Sequence, residues 1–246
     1  MRNLTMLLLV FLFILIIGCA DSEKKKTESS QLNYDQAIQM VKQCVLDLKL
    51  YEQEDDIRFI YEPNNGFWNM RGYANHPEML EMCDLTGKNY YAFMLLDKLA
   101  GTRSGTRIIF VDKDKKEIIG VFLEDNFKKT ECGYNQKSKK KTETLDYNHA
   151  VQVLKKYILE AGLYEGERDI RFIYEPKNGF WNRQLSVSPE LLNKHSLTNT
   201  TYHAFMLLSE KTEVGRGGTF VFIDKDKRRV IGVLYDDGHF VENTEN

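Results

Sequence analysis

Two charged clusters stand at an offset of 113 in a chain of 246 residues: Asp56, Arg58 and Glu62, then Asp169, Arg171 and Glu175. Paired acids beside a cation are the raw material of acid–base chemistry, in which one carboxyl is held protonated and another ionised. The spacing argues against it. Arg58 and Glu62 share a face of an extended strand, but four residues apart they are separated by ~13 Å at ~3.3 Å per residue. Cross-strand salt bridges or a solvated face account for them better. The chain's two tryptophans, Trp68 and Trp181, both lie in Gly-Phe-Trp-Asn. With Asn69 and Asn182 as polar handles and Arg58 and Arg171 nearby, they could stack on a sugar or peptide. A large aromatic that begins a strand usually packs, so the core-anchor reading is favoured.

The remaining motifs carry less. The five histidines (His76, His149, His195, His203, His239) occupy no matched positions and show no metal-ligand spacing. Asp112 and Asp114 lack the glycine and terminal glutamate of a calcium loop, so a hairpin turn is expected there. Gly101-Thr-Arg-Ser-Gly105 and Gly215-Arg-Gly-Gly218 are followed by strands and not by the helix an anion cradle wants. No metal, cofactor or nucleophile is expected.

These residues sit in a duplicated frame. Asp56-Ile-Arg-Phe-Ile-Tyr-Glu-Pro-Asn-Asn-Gly-Phe-Trp-Asn69 recurs, with one substitution, as Asp169 to Asn182. Tyr34 matches Tyr147, Tyr51 matches Tyr164, and Ala92 to Leu96 matches Ala204 to Leu208. The repeats span 32–125 and 145–237. Each opens on a helix: Asn33 and Asp146 as N-caps after the staple residues Leu32 and Leu145, with Gln36 completing a capping box. Ala37, Val41, Cys44, Val45 and Leu48 mark the first helix's apolar face, and Ala150, Leu154, Tyr157, Ile158 and Ala161 the second's. Gly162 suits the position just past the helix end. A strand over Ile57–Glu62, a turn at Pro63–Gly66 and a return strand from Phe67-Trp68 are expected next. Ser188-Pro189 starts a short helix, and strands at Tyr90–Leu96, Arg107–Asp112 and Glu117–Leu123 complete the unit. The fold class is α+β: two tandem repeats, each a long helix on an antiparallel sheet of about four to five strands. In each terminal hairpin both faces are apolar, with Ile108, Phe110, Ile118 and Phe122 set against Ile109, Val111, Ile119 and Val121. One helix covers one face, so the repeats are expected to bury the other against each other or present it to a partner.

Net charge is −2 from 34 basic and 36 acidic residues, which gives no reason to expect nucleic acid as a partner. Aromatic content of 12% speaks for packed cores. Ala20–Gln31 reads as a flexible tether and 126–144 as a polar linker carrying Lys137 and Lys139–Lys141, with 238–246 as a tail. The basic run is a solvated linker or, less readily, a contact for anionic lipid.

At the N-terminus Arg2 precedes the apolar run Met6–Ile17, ~18 Å as a helix and too short for a ~30 Å hydrocarbon core. It is read as the core of a signal peptide spanning 1–18. Ile16-Ile-Gly-Cys19 resembles the lipobox of bacterial lipoproteins, which implies cleavage before Cys19 and a diacylglyceryl group on its thiol. More than one acyl chain is what stable anchoring needs. Ala20 stands where an inner-membrane-retention signal resembles Asp, so an outer membrane is favoured if the cell is Gram-negative. Cys44, Cys83 and Cys132 then lie in an oxidising compartment, with the disulfide pair left open.

The element order, ending in a hairpin like Phe110-Val-Asp-Lys-Asp-Lys-Lys-Glu-Ile-Ile-Gly120, resembles PepSY-like and other cystatin-type domains of exported bacterial proteins. Gly217-Gly-Thr-Phe-Val-Phe-Ile-Asp224 is similar to cystatin-type bacterial immunity proteins. Both resemblances imply binding and not turnover. The expectation is a lipid-anchored, non-catalytic binding or inhibitory module with a protein partner in the envelope. The alternatives are an enzyme using Glu62 or Glu175 on cell-wall or glycan substrate, and an immunity or structural envelope lipoprotein.

Overall fold

A computed structural model describes residues 31–96, 107–123, 126–130, 132, 146–185, 197–208 and 218–243. Cys19, the apolar run before it, the linker lysines, His195, Ser188-Pro189 and both glycine-rich loops up to Gly217 lie outside those residues. No described helix is long and apolar enough to cross a membrane.

Helix α1 (Tyr34–Asp47) starts at the expected capping box. Asn33 Oδ1 accepts from Gln36 N at 2.8 Å and Gln36 Oε1 accepts from Asn33 N at 3.2 Å. Ala37, Val41, Cys44 and Val45 are buried, whereas Leu48 at the C-cap is exposed. A short 3-10 turn (Glu54–Asp56) leads into β1 (Phe59–Tyr61). The segment expected to return as a strand is instead a helix, α2 (Gly66–Met70). A second 3-10 turn (Tyr73–Asn75) and α3 (Pro77–Met82), opened by proline, follow. Then come β2 (Tyr90–Leu95), β3 (Arg107–Asp112) and β4 (Glu117–Leu123). The start of the expected linker is a further strand, β5 (Asn126–Lys129). The order continues with α4 (Tyr147–Glu160), capped by Asp146, then β6 (Phe172–Tyr174), α5 (Gly179–Leu185), β7 (Tyr202–Leu207), β8 (Thr219–Asp224) and β9 (Val230–Leu234). The expected tail contributes β10 (Phe240–Glu242).

The class is α+β with an antiparallel sheet, but the sheet is single. Its ten strands run β10-β9-β8-β7-β6-β1-β2-β3-β4-β5, every neighbouring pair antiparallel, and Leu32–Asn246 is one compact unit. On one face α1 contacts β2, β3 and β4, while α4 contacts β8 and β9. A continuous core lies under both helices, from Tyr34, Val41 and Phe93 to Leu154, Phe205 and Val221.

The opposite face is closed locally, and the expected packing of one apolar face on another does not occur. Trp68, Cys83 and Leu85 cover Ile108, Phe110, Ile119 and Phe122. Trp181 and Leu197 cover Phe220, Phe222 and Leu234. The face assignment also changes in one respect. The pairing slips between Phe110 and Val111, so Ile118 joins the helix side and Ile119 the other. The same slip between Phe222 and Ile223 puts Val230 on the helix side. A bulge inserts one extra residue, and each residue inserted reverses the faces beyond it.

Candidate functional site

The recurring motif meets its own copy at the centre of the sheet. β1 pairs with β6 so that Ile60 faces Ile173, its counterpart, while Phe59 faces Tyr174 and Tyr61 faces Phe172. This reciprocity is what an isologous interface has, here made within one chain. The facing rings stack at 4.4 Å in both pairs, with planes 12° and 14° apart.

Carried one step outward, the same register sets Arg58 against Glu175 and Arg171 against Glu62. Both pairs form, the second at 3.1 Å. The two arginines and two glutamates are all buried. Neither pair lies along one strand; each joins one motif copy to the other. An unpaired charge here would be costly, and each carboxylate collects further donors. Phe67 N donates to Glu62 at 2.9 Å and Phe180 N donates to Glu175. The helices α2 and α5 therefore begin at a carboxylate, which satisfies a backbone N–H that no helix turn can reach.

Local sequence explains why the chain turns there. Asn65 and Asn178 take left-handed backbone, φ 57° and 52°. Each side chain bridges to the next strand: Asn65 Nδ2 donates to Tyr90 O and its Oδ1 accepts from Ala92 N, with Asn178 doing the same at Tyr202 and Ala204. Glycine follows because a Cβ at Gly66 would lie 3.0 Å from Glu62 Oε2 and 3.3 Å from Arg171 Nε. Tyr51 OH donates at this junction to Arg58 O or Leu96 O, and Tyr164 OH occupies the matching position between Arg171 O and Leu208 O. On the helix side Lys42 Nζ reaches Glu54 and Asn148 at 3.1 Å each, and Lys155 Nζ reaches Asp35 at 3.4 Å. These lysines lie over the Tyr174 and Tyr61 rings.

Burial, the largest influence, pushes the Glu62 carboxyl up to about 7, against the opposing pull of Arg171 and the Phe67 N–H. Burial also lowers Arg58, which Glu175 partly offsets.

Trp68 and Trp181 are 1% and 2% exposed, with each Nε1 donating to a tyrosine hydroxyl, Tyr90 at 2.9 Å and Tyr202 at 3.0 Å. Neither ring presents a face for stacking a ligand. Asn69 and Asn182 use their amides on the carbonyls of Asn64 and Lys177, closing the turn behind them. Asp112 Oδ1 accepts from Asp114 N and Lys115 N, and Asp224 repeats this, so both Asp-Lys-Asp-Lys segments are hairpin turns. Among the described residues no three His, Cys, Asp or Glu side chains are placed to hold a metal. The motif's twofold recurrence was readable. Tyr51 and Tyr164 were matched, and Asn65 was placed in a turn, but the bridging roles of these residues and of Asn178 were not read; their matched positions were the available signal. A disulfide joins Cys44 on α1 to Cys132 beyond β5, with Cα atoms 5.2 Å apart, and Cys83 is a buried free thiol.

No known protein family, curated protein or solved structure matches the chain.

Proposed function

We propose that the chain is an exported lipoprotein, anchored through Cys19, that acts as a non-catalytic binding or inhibitory module toward another envelope or secreted protein. The observation that carries this reading is the use made of Glu62 and Glu175. Each is buried and engaged by a helix N–H and by the other motif's arginine, so the carboxylates best suited to acid–base work serve a junction. The Cys44–Cys132 bond supports export, since such bonds persist outside the reducing cytosol. In this reading the sheet is two fused halves, β1–β5 under α1 and β6–β10 under α4, each a cystatin-type repeat. Their joined surface is held off the membrane by the tether 20–31.

Photo-crosslinking on intact cells tests it, comparing the native chain with Cys19→Ala. A discrete protein adduct is expected from the anchored form, and the variant should leave the detergent phase and lose the adduct. A turnover reaction abolished by Glu175→Gln in a chain that stays folded would install the enzyme reading instead.

A further inference from the structure

Apart from Cys19, the cysteines are Cys44, Cys83 and Cys132, and all three belong to the β1–β5 half. At the offset of 113 the other half has Tyr157 and Glu245 where the disulfide has Cys44 and Cys132. That half seats its outer strand without sulfur. Asn243, just past β10, donates through its backbone N to Ile231 O at 2.8 Å and through Nδ2 to Val230 O at 3.3 Å. Its counterpart Thr130 instead places its hydroxyl 3.2 Å from Cys132 Sγ. The duplicated unit can therefore close this edge without a disulfide, and one copy has added one.

The bond sits where it controls β5. Of Asn126-Phe-Lys-Lys129 only Phe127 is apolar, and it packs on the cluster that contains Cys83. Lys129 meets Asp84, the residue after Cys83, at 3.3 Å, an exposed ion pair of the kind worth little. Cys132 follows three residues past the strand, tied to α1. While that tie stands, a strand lifted from β4 remains a closed loop of residues 124–131, which limits the entropy gained by lifting it. The two sulfurs also differ in access: Cys44 is fully buried and Cys132 half-buried. Burial pushes the Cys83 thiol up to about 11, so its reactive thiolate is scarce while β5 is in place.

We propose that the Cys44–Cys132 disulfide is a redox latch on β5, whose reduction by a dithiol frees the strand from β4 and uncovers the Cys83 thiol. One thiolate of the dithiol attacks Cys132 Sγ, the bond to Cys44 breaks, and Cys44 leaves as a thiolate that takes up a proton. The second thiol then attacks the dithiol's own sulfur in the mixed disulfide and releases Cys132 as a thiol. The dithiol ends as a disulfide, its two electrons and two protons transferred to Cys44 and Cys132.

Amide hydrogen exchange of the full chain in non-ionic detergent, with and without dithiothreitol, tests this. Reduction should speed exchange in β5 about tenfold, while the matched amides of β10 keep their rates. Cys132→Ala should show the fast pattern without reductant and ignore its addition. N-ethylmaleimide labelling with peptide mapping should modify Cys83 about tenfold faster in that variant than in the oxidised native chain. Unchanged exchange in β5 overturns the proposal. So does an equal rise in β5 and β10, which would make the bond a staple of the whole sheet, or a Cys83 that reacts at the same rate in both chains.

Discussion

Glu62 accepts hydrogen bonds from Phe67 N and Arg171 Nε, yet its carboxyl is pushed up to about 7 because burial outweighs both. The sign of the pH effect follows from linkage. A folded-state value above the ordinary 4.5 means the folded protein holds the proton more tightly, so this contribution is full below about pH 4.5 and is lost as pH rises through about 7. The unfolding free energy of the native chain minus that of Glu62→Gln should therefore fall by about 3 kcal/mol between pH 5 and pH 8. Urea titrations at several pH values measure the difference. A difference that grows with pH would mean that attraction to Arg171 outweighs desolvation. At this scale the sequence marked the right residues and offered cross-strand salt bridges, which form, beside a solvated face, which does not; it did not name the partners. Four residues along a strand, Arg58 and Glu62 cannot pair with each other, and that much was readable. Their true partners lie in the other motif copy, and only the strand register brings them together.

Among the elements, the long helices and the β3–β4 and β8–β9 hairpins follow from local signals: caps, periodicity and Asp-led turns. Helix α2 did not. Five residues are too few for a helical period, and what starts the helix is a buried carboxylate accepting from Phe67 N beside an asparagine in left-handed backbone. The outer strands were hidden for a similar reason. β5 is mostly polar, and its fit depends on Phe127 lying on the bare backbone of Gly120, where a Cβ would overlap both the ring and Lys128 O. Gly120→Ala should then destabilise the fold by about 1–3 kcal/mol and speed amide exchange in β5 selectively. Unchanged exchange there would show that the ring–glycine contact does not hold the strand. Next to β5, the disulfide ties Cys132 to Cys44 over a separation of 88 residues. Cys132→Ala should cost roughly 4–5 kcal/mol by loop-closure entropy, read as a lower urea midpoint that reductant no longer shifts. Native and variant midpoints that coincide without reductant would remove the disulfide from the account.

For the molecule as a whole, the duplication was legible and its consequence was not. Repeats that read as tandem units share one ten-stranded sheet, because β1 and β6 are short strands whose free edges satisfy each other. The register that puts Ile60 on Ile173 fixes the stacked rings, both buried ion pairs and the Lys42 and Lys155 bridges together. These shared contacts are expected to make both halves unfold as one cooperative body. The chain supplies its own probes, since Trp68 reports on the β3–β4 side and Trp181 on the β8–β9 side. Urea unfolding of Trp181→Phe and Trp68→Phe, followed by the fluorescence of the remaining tryptophan, distinguishes one cooperative body from two. Two transitions with the same slope, each tracking the far-ultraviolet circular dichroism of its own variant, are expected. A fluorescence transition that departs from the circular dichroism, with one side melting while the other stays folded, would contradict it.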